Sequence, residues 1–161
     1  MEQQEKIRKS YRRGAAKYDD LHGMEKWWAK LSMKLIWGFE DMAYVPRLLE
    51  WIPDDFSGSL LDVPIGTGLF TAAKYAGMGN ARITCLDYSS DMMAIAERRF
   101  ARAGIASVRF VQGDVGALPF EDDSFDMVLS MNGFHAFPDK EAAFRQTRRV
   151  LKPGGLLVGC F

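Results

Sequence analysis

The stretch Ser59–Ala73, SLLDVPIGTGLFTAA, reads as a short buried strand, a glycine-containing turn and the opening of a helix. Leu60, Leu61 and Val63 form the apolar run expected of a strand covered on both faces. Asp62 falls near its carboxyl end. Gly66 and Gly68 lack a Cβ, so the backbone there can turn tightly and come close to a ligand. Leu69 to Tyr75 then reads as helix. A strand–glycine turn–helix unit points backbone N–H groups into the crevice beyond the strand's carboxyl end, where open α/β sheets bind ligands.

Working outward, the chain alternates. Strands are expected at Arg82–Leu86, Val108–Val111 and Phe125–Met131, and a fifth begins at Leu156 and runs to Phe161. Helices are expected at Asp91–Ala103, capped by Ser89 or Ser90 and ended by Gly104, and at Asp139–Leu151. Lys152–Gly155, KPGG, reads as a turn. Strands alternating with helices argue for an α/β fold with a Rossmann-like, doubly wound, mostly parallel sheet. Upstream, residues 1–54 read as an N-terminal helical cap, and 55–161 as the ligand-binding domain. Within the cap, Trp27, Leu31, Leu35 and Ile36 lie at helical spacing, and Pro46–Ile52 reads as a short helix.

The composition excludes several classes. Of the 161 residues, 48% are apolar and 26% charged, as in an ordinary globular domain. Basic and acidic residues balance at 21 each, which argues against a nucleic-acid or anionic-lipid partner. No apolar run is long enough for a membrane span. The start, MEQQEKIRKS, lacks a signal peptide's apolar core, and Cys85 and Cys160 fall in expected strands. Together these point to a cytoplasmic setting. Asp122, Asp123 and Asp126 read as a solvated acidic loop, not a metal site, because no His or Cys accompanies them.

Four features fall at carboxyl ends of expected parallel strands and so converge on one crevice. They are Asp62 to Gly68, Asp87, Gly113-Asp114-Val115, and Ser130 to His135 at the topological switch point. A carboxylate at Asp87 suits the two hydroxyls of a ribose. Asp114 and the Val115 N–H suit the edge of an adenine.

These segments carry a resemblance. LLDVPIGTG, CLDYSSDMMAIAERR, VQGDVGALPFEDDSFDMVLSMNGFHAFPD and RVLKPGG, in this order, resemble a class I S-adenosylmethionine-dependent methyltransferase. YRRGAAKYDD in the cap resembles the segment before the core in the small-molecule branch that includes quinone-biosynthesis methyltransferases. The resemblance implies S-adenosyl-L-methionine as cofactor, with Gly66 and Gly68 along its carboxypropyl and ribose parts and Asp62 near its amino group. It implies Asp87 on the ribose, Tyr88 and Met92 flanking the adenine, Asp114 and Val115 reading it, and Met131 near the methionine portion. Tyr11 and Tyr18 would close the site, and His135 is a candidate base or acceptor contact. The expected reaction is methyl transfer to a small, apolar or aromatic acceptor.

The sequence departs from that family at Pro64, where the family usually has Gly, and at Ile65, where it often has a small residue. Proline removes an N–H and fixes φ. The family's sheet also has two further strands after the fifth. The chain is therefore expected to be a fragment, or to complete its sheet with another copy through the open edge of the fifth strand. Two other classes compete. A nicotinamide-dependent (NAD(P)) oxidoreductase needs Gly or Ala at position 71, counting from Gly66, and finds Thr71. A cofactor-binding or interaction module without catalysis would suit the Pro64 departure.

Overall fold

The computed structural model describes residues 44–134 and 137–160. The cap up to residue 43, with Tyr11 and Tyr18, lies outside the described residues, as do His135 and Phe161. The sheet has five strands: β1 (Ser59–Asp62), β2 (Arg82–Asp87), β3 (Val108–Gln112), β4 (Phe125–Met131) and β5 (Leu151–Cys160). Their order is β3-β2-β1-β4-β5, and every pairing is parallel. The fold is thus the expected Rossmann-like one, and the strand order reverses between β1 and β4, which places the switch point between the carboxyl ends of these two strands.

Period-2 alternation divides the two faces. Leu60, Ile83, Cys85, Met127 and Leu129 pack beneath α2 (Ala72–Ala76) and α3 (Ser90–Arg102), through Tyr75, Ala96 and Phe100. Leu61, Val63, Leu86 and Val128 face the other way, onto α4 (Lys140–Val150) through Ala143 and Val150. Strands covered on both sides need near-continuous apolar runs, and all four residues of β1 are buried. Burying one such Leu or Phe side chain contributes about 1.5–3 kcal/mol.

Local chemistry sets the helix ends. The Ser89 hydroxyl accepts from the Met92 N–H at 3.3 Å and caps α3, while Gly104, at φ +72°, closes it as the Ile105 N–H donates to the Phe100 carbonyl. The Asp139 carboxylate accepts from the Ala142 N–H at 2.8 Å and caps α4. Three boundaries differ from the sequence reading. The helix after β1 begins at Ala72 rather than Leu69, because the positive-φ turn at Gly68 consumes the intervening residues. The helix before β1, α1 (Tyr44–Leu49), starts ahead of Pro46, whose missing N–H costs nothing in a first turn. KPGG does not precede β5 but lies inside it as a bulge. Leu151 pairs with Phe125 and Leu156 with Met127, so residues 152–155 loop out, with Gly154 at φ +78°.

Of the acidic residues of 122–126, Asp122 and Asp123 lie exposed in the turn before β4, as expected, whereas Asp126 belongs to β4. Asp126 accepts from the Ser59 N–H and hydroxyl and from Lys152, and Asp122 pairs with Arg149. Among the described residues no helix is long and apolar enough to cross a membrane.

Candidate functional site

Because all five strands run the same way, Asp62, Asp87, Gly113–Val115 and Met131–Asn132 share one end of the sheet. The turn from β1 to α2 is anchored from both sides. The Val63 N–H donates to the Leu129 carbonyl of β4, and the Ile65 N–H to the Leu86 carbonyl of β2, both at 2.9 Å. Pro64, with no N–H of its own, sits between these two anchors behind a cis Val63–Pro64 peptide. The glycine turn therefore forms despite the proline. Pro64 packs so closely on Gly133 that no Cβ would fit there.

The two turn glycines have different reasons to be glycine. Both have positive φ, +56° at Gly66 and +67° at Gly68. A Cβ on Gly66 would meet nothing within 4 Å, so this face opens on the crevice. A Cβ on Gly68 would lie 2.5 Å from Phe100 Cε1 and 3.3 Å from Ala96 Cβ. Gly68 thus lets α3 pack against the turn, and Arg99 of α3 donates to the Thr67 carbonyl at 2.9 Å from the same side.

Asp87 closes the turn. Its Oδ2 accepts from the Gly66 N–H and its Oδ1 from the Ser89 N–H, both at 2.8 Å. Burial raises its pKa, and the N–H bonds from Ser89, Gly66 and Tyr88 oppose the rise. With four lone-pair sites against three N–H donors, the carboxylate keeps acceptor capacity for a hydroxyl donor. Asp62, only 1% exposed, accepts from the Tyr75 hydroxyl at 2.8 Å through Oδ2, while its Oδ1 is buried with no partner. Burial pushes its pKa up to about 7; the Tyr75 and Thr71 hydroxyls pull the other way, and the charge of Asp87 adds to the rise. Tyr75 sits one turn beyond Thr71, on the same buried face of α2.

The other candidates fall as follows. Tyr88 is half exposed beside Asp87, whereas Met92 is buried against Ile95. Asp114 uses Oδ1 to accept from the Gly116 N–H at 2.8 Å, capping the 3-10 helix Val115–Ala117, in which Val115 is buried. Met131 belongs to the core beside Leu129. Two features were not read from the sequence. One is Tyr75 as the partner of Asp62, for which the only signal was its i,i+4 spacing from Thr71. The other is a polar cluster at the end of β4. There Asn132, at φ +54°, donates from Nδ2 to the Tyr44 hydroxyl at 2.7 Å and accepts from Cys160 Sγ at 3.2 Å. It joins residues far apart in the chain, and no local pattern announces it.

The profile of the methyltransferase domain family matches residues 60–155, from the start of β1 into β5. The chain belongs to the methyltransferase domain family. A demethylmenaquinone methyltransferase from Staphylococcus aureus is 39% identical over 99 residues, which are 61% of this chain and 40% of that protein. A crystal structure from Methanococcus maripaludis, assigned as an S-adenosyl-L-methionine-dependent methyltransferase, superposes with a TM-score of 0.64 at 32% identity. It covers 74% of this chain and 57% of its own. The [4+2]-cyclase SpnF superposes with a TM-score of 0.65, also at 32% identity, over 71% of this chain and 42% of its own. The chain thus spans well under two thirds of the length of the relatives it matches.

The cofactor that this methyltransferase domain implies is S-adenosylmethionine, and the site's chemistry fits it. The orphaned Asp62 Oδ1 calls for a cationic or donor group, the Asp87 lone pairs call for hydroxyls, and the open face of Gly66 admits a ligand against the backbone.

Proposed function

We propose that this methyltransferase domain binds S-adenosylmethionine across the carboxyl ends of β1, β2 and β3 and transfers its methyl group to a small, apolar or aromatic acceptor. The observation that carries the reading is the Asp87 carboxylate. It bridges the Gly66 and Ser89 N–H groups beneath the open face of Gly66. In this reading Asp87 holds the ribose hydroxyls, Asp62 the amino group and Gly66 the close backbone approach. Asp114, Val115 and Tyr88 border the adenine, and Met92 and Met131 back the site as core residues. Gly68 acts through the packing of α3.

When bound, the sulfonium supplies a methyl group already activated for transfer. The protein's task is to hold donor and acceptor in line and exclude water, which can lower the barrier by about 7–11 kcal/mol. No general base is required unless the acceptor must lose a proton. His135, next to the described Phe134, is the residue proposed for that role if it does.

The S. aureus relative acts, by its name, on a demethylmenaquinone, so quinol-like aromatic rings are the first acceptors to test. A neighbour of this fold is named a cyclase and not a methyltransferase, so the second reading is a cofactor-binding or interaction module without methyl transfer. Calorimetric titration with S-adenosylmethionine and, separately, NAD tests the cofactor. Saturable binding of the former alone is expected, and binding of NAD alone would overturn the assignment. Methyl transfer to a quinol panel then separates the two readings.

A further inference from the structure

Asp62 is an unusual group to leave inside a fold. It is 1% exposed, one oxygen is orphaned, and a second buried carboxylate, Asp87, stands two residues beyond its register partner Cys85 on β2. The groups facing it are the hydroxyls of Tyr75 from α2 and of Thr71 at its N-cap, Cys85 and Asp87 from β2, and the apolar Leu129 from β4. Among the described residues no cation offsets either carboxylate. Two ionised carboxylates buried side by side without a counter-ion are strongly disfavoured, and a proton is the cheapest remedy.

We propose that Asp62 is a proton-coupled selector for ligands carrying an ammonium group, neutral in the ligand-free protein and ionised as the ammonium docks. The O–H bond of the carboxylic acid breaks, its electron pair stays on the carboxylate, and the proton leaves to solvent. The ammonium then faces the orphaned Oδ1, while Tyr75 keeps its bond to Oδ2. A neutral nucleoside with the same adenine and ribose gains nothing from this exchange. The site would thereby discriminate the amino-acid end of the cofactor from the nucleoside alone. This inference rests on the cofactor reading above.

The test is calorimetry at neutral pH in two buffers of different ionisation enthalpy, with S-adenosylmethionine and with 5′-methylthioadenosine, which carries the nucleoside but no ammonium. Asp62 titrates near pH 7 in the ligand-free protein. Binding of S-adenosylmethionine there should release about half a proton, and affinity should rise about tenfold between about pH 6 and about pH 8. Methylthioadenosine should release none and show no such rise. Asp62→Asn should abolish the release and flatten the profile. Tyr75→Phe removes the hydroxyl that favours the ionised form and should move the midpoint to higher pH, a readout that a purely structural role would not give. Equal proton release for both ligands, or none for S-adenosylmethionine, overturns the inference and leaves the cofactor reading standing. Failure of both ligands to bind at any pH overturns that reading and this inference with it.

Discussion

Replacing Gly68 with Ala tests whether the glycine turn is shaped by the ligand or by the packing of α3. At φ +67° an alanine pays for left-handed backbone, about 1–2 kcal/mol. Its Cβ would also stand 2.5 Å from Phe100 Cε1 and 3.2 Å from Cζ. Phe100 is 1% exposed, met edge-on by Tyr75 at 6.0 Å and at a tilt by Phe110 at 5.6 Å between ring centroids, so it has little room to swing away. Overpacking of this kind costs about 1–3 kcal/mol, which brings the total to about 2–5 kcal/mol. Gly66→Ala carries the backbone cost alone, because its Cβ meets nothing within 4 Å. Urea unfolding followed by far-ultraviolet circular dichroism should therefore rank Gly68→Ala as less stable than Gly66→Ala by about 1–3 kcal/mol. Cofactor binding should rank them the other way relative to stability, since the Gly66 methyl enters the crevice. A double-mutant cycle with Phe100→Leu should recover the packing share of the Gly68→Ala cost but not the backbone share. Equal stabilities of the two alanine variants, or a cycle with no coupling, would refute the argument.

Other outcomes follow from the same geometry. Asp62 has a folded pKa of about 7, above its unfolded value near 3.9, so its contribution to stability is full below the unfolded value and is lost as pH rises to about 7. Asp62→Asn escapes that loss. Its stability relative to the parent should improve by about 1.4 kcal/mol per pH unit across that window, and a pH-independent difference in urea unfolding would contradict the buried-acid assignment. Arg149 donates to the carbonyls of Leu118 and Phe120 and to Asp122, so Arg149→Ala should cost about 1–3 kcal/mol by the same measurement. Arg149→Lys should restore little of it, because a point ammonium cannot span three acceptors, and full rescue by Lys would argue against the clamp. Asp87→Asn brings an NH2 group against one of two N–H donors, so calorimetry should show S-adenosylmethionine binding lost or severely weakened; unchanged affinity would remove Asp87 from the site.

What the sequence determined by itself was whatever short-range chemistry encodes. The apolar runs of β1 and β4, the Ser89 and Asp139 caps and the Gly104 stop are local patterns, and each appears in the structure within a residue or two of its expected place. From those came the parallel sheet, and from the sheet the convergence of Asp62, Gly66 and Asp87 at one end. Tertiary structure alone decided what those residues touch. Gly68 is required by Phe100, which lies 32 residues later. Asp62 depends on Tyr75, brought over it by the packing of α2. Tyr44, Asn132 and Cys160 meet only because the chain folds three distant segments onto one strand end. KPGG looked like a turn, but pairing with β4 on both sides drew it into β5 as a bulge. Periodicity reports which face of an element is apolar. It does not report which neighbour that face will meet, because that is settled by long-range packing of the whole core.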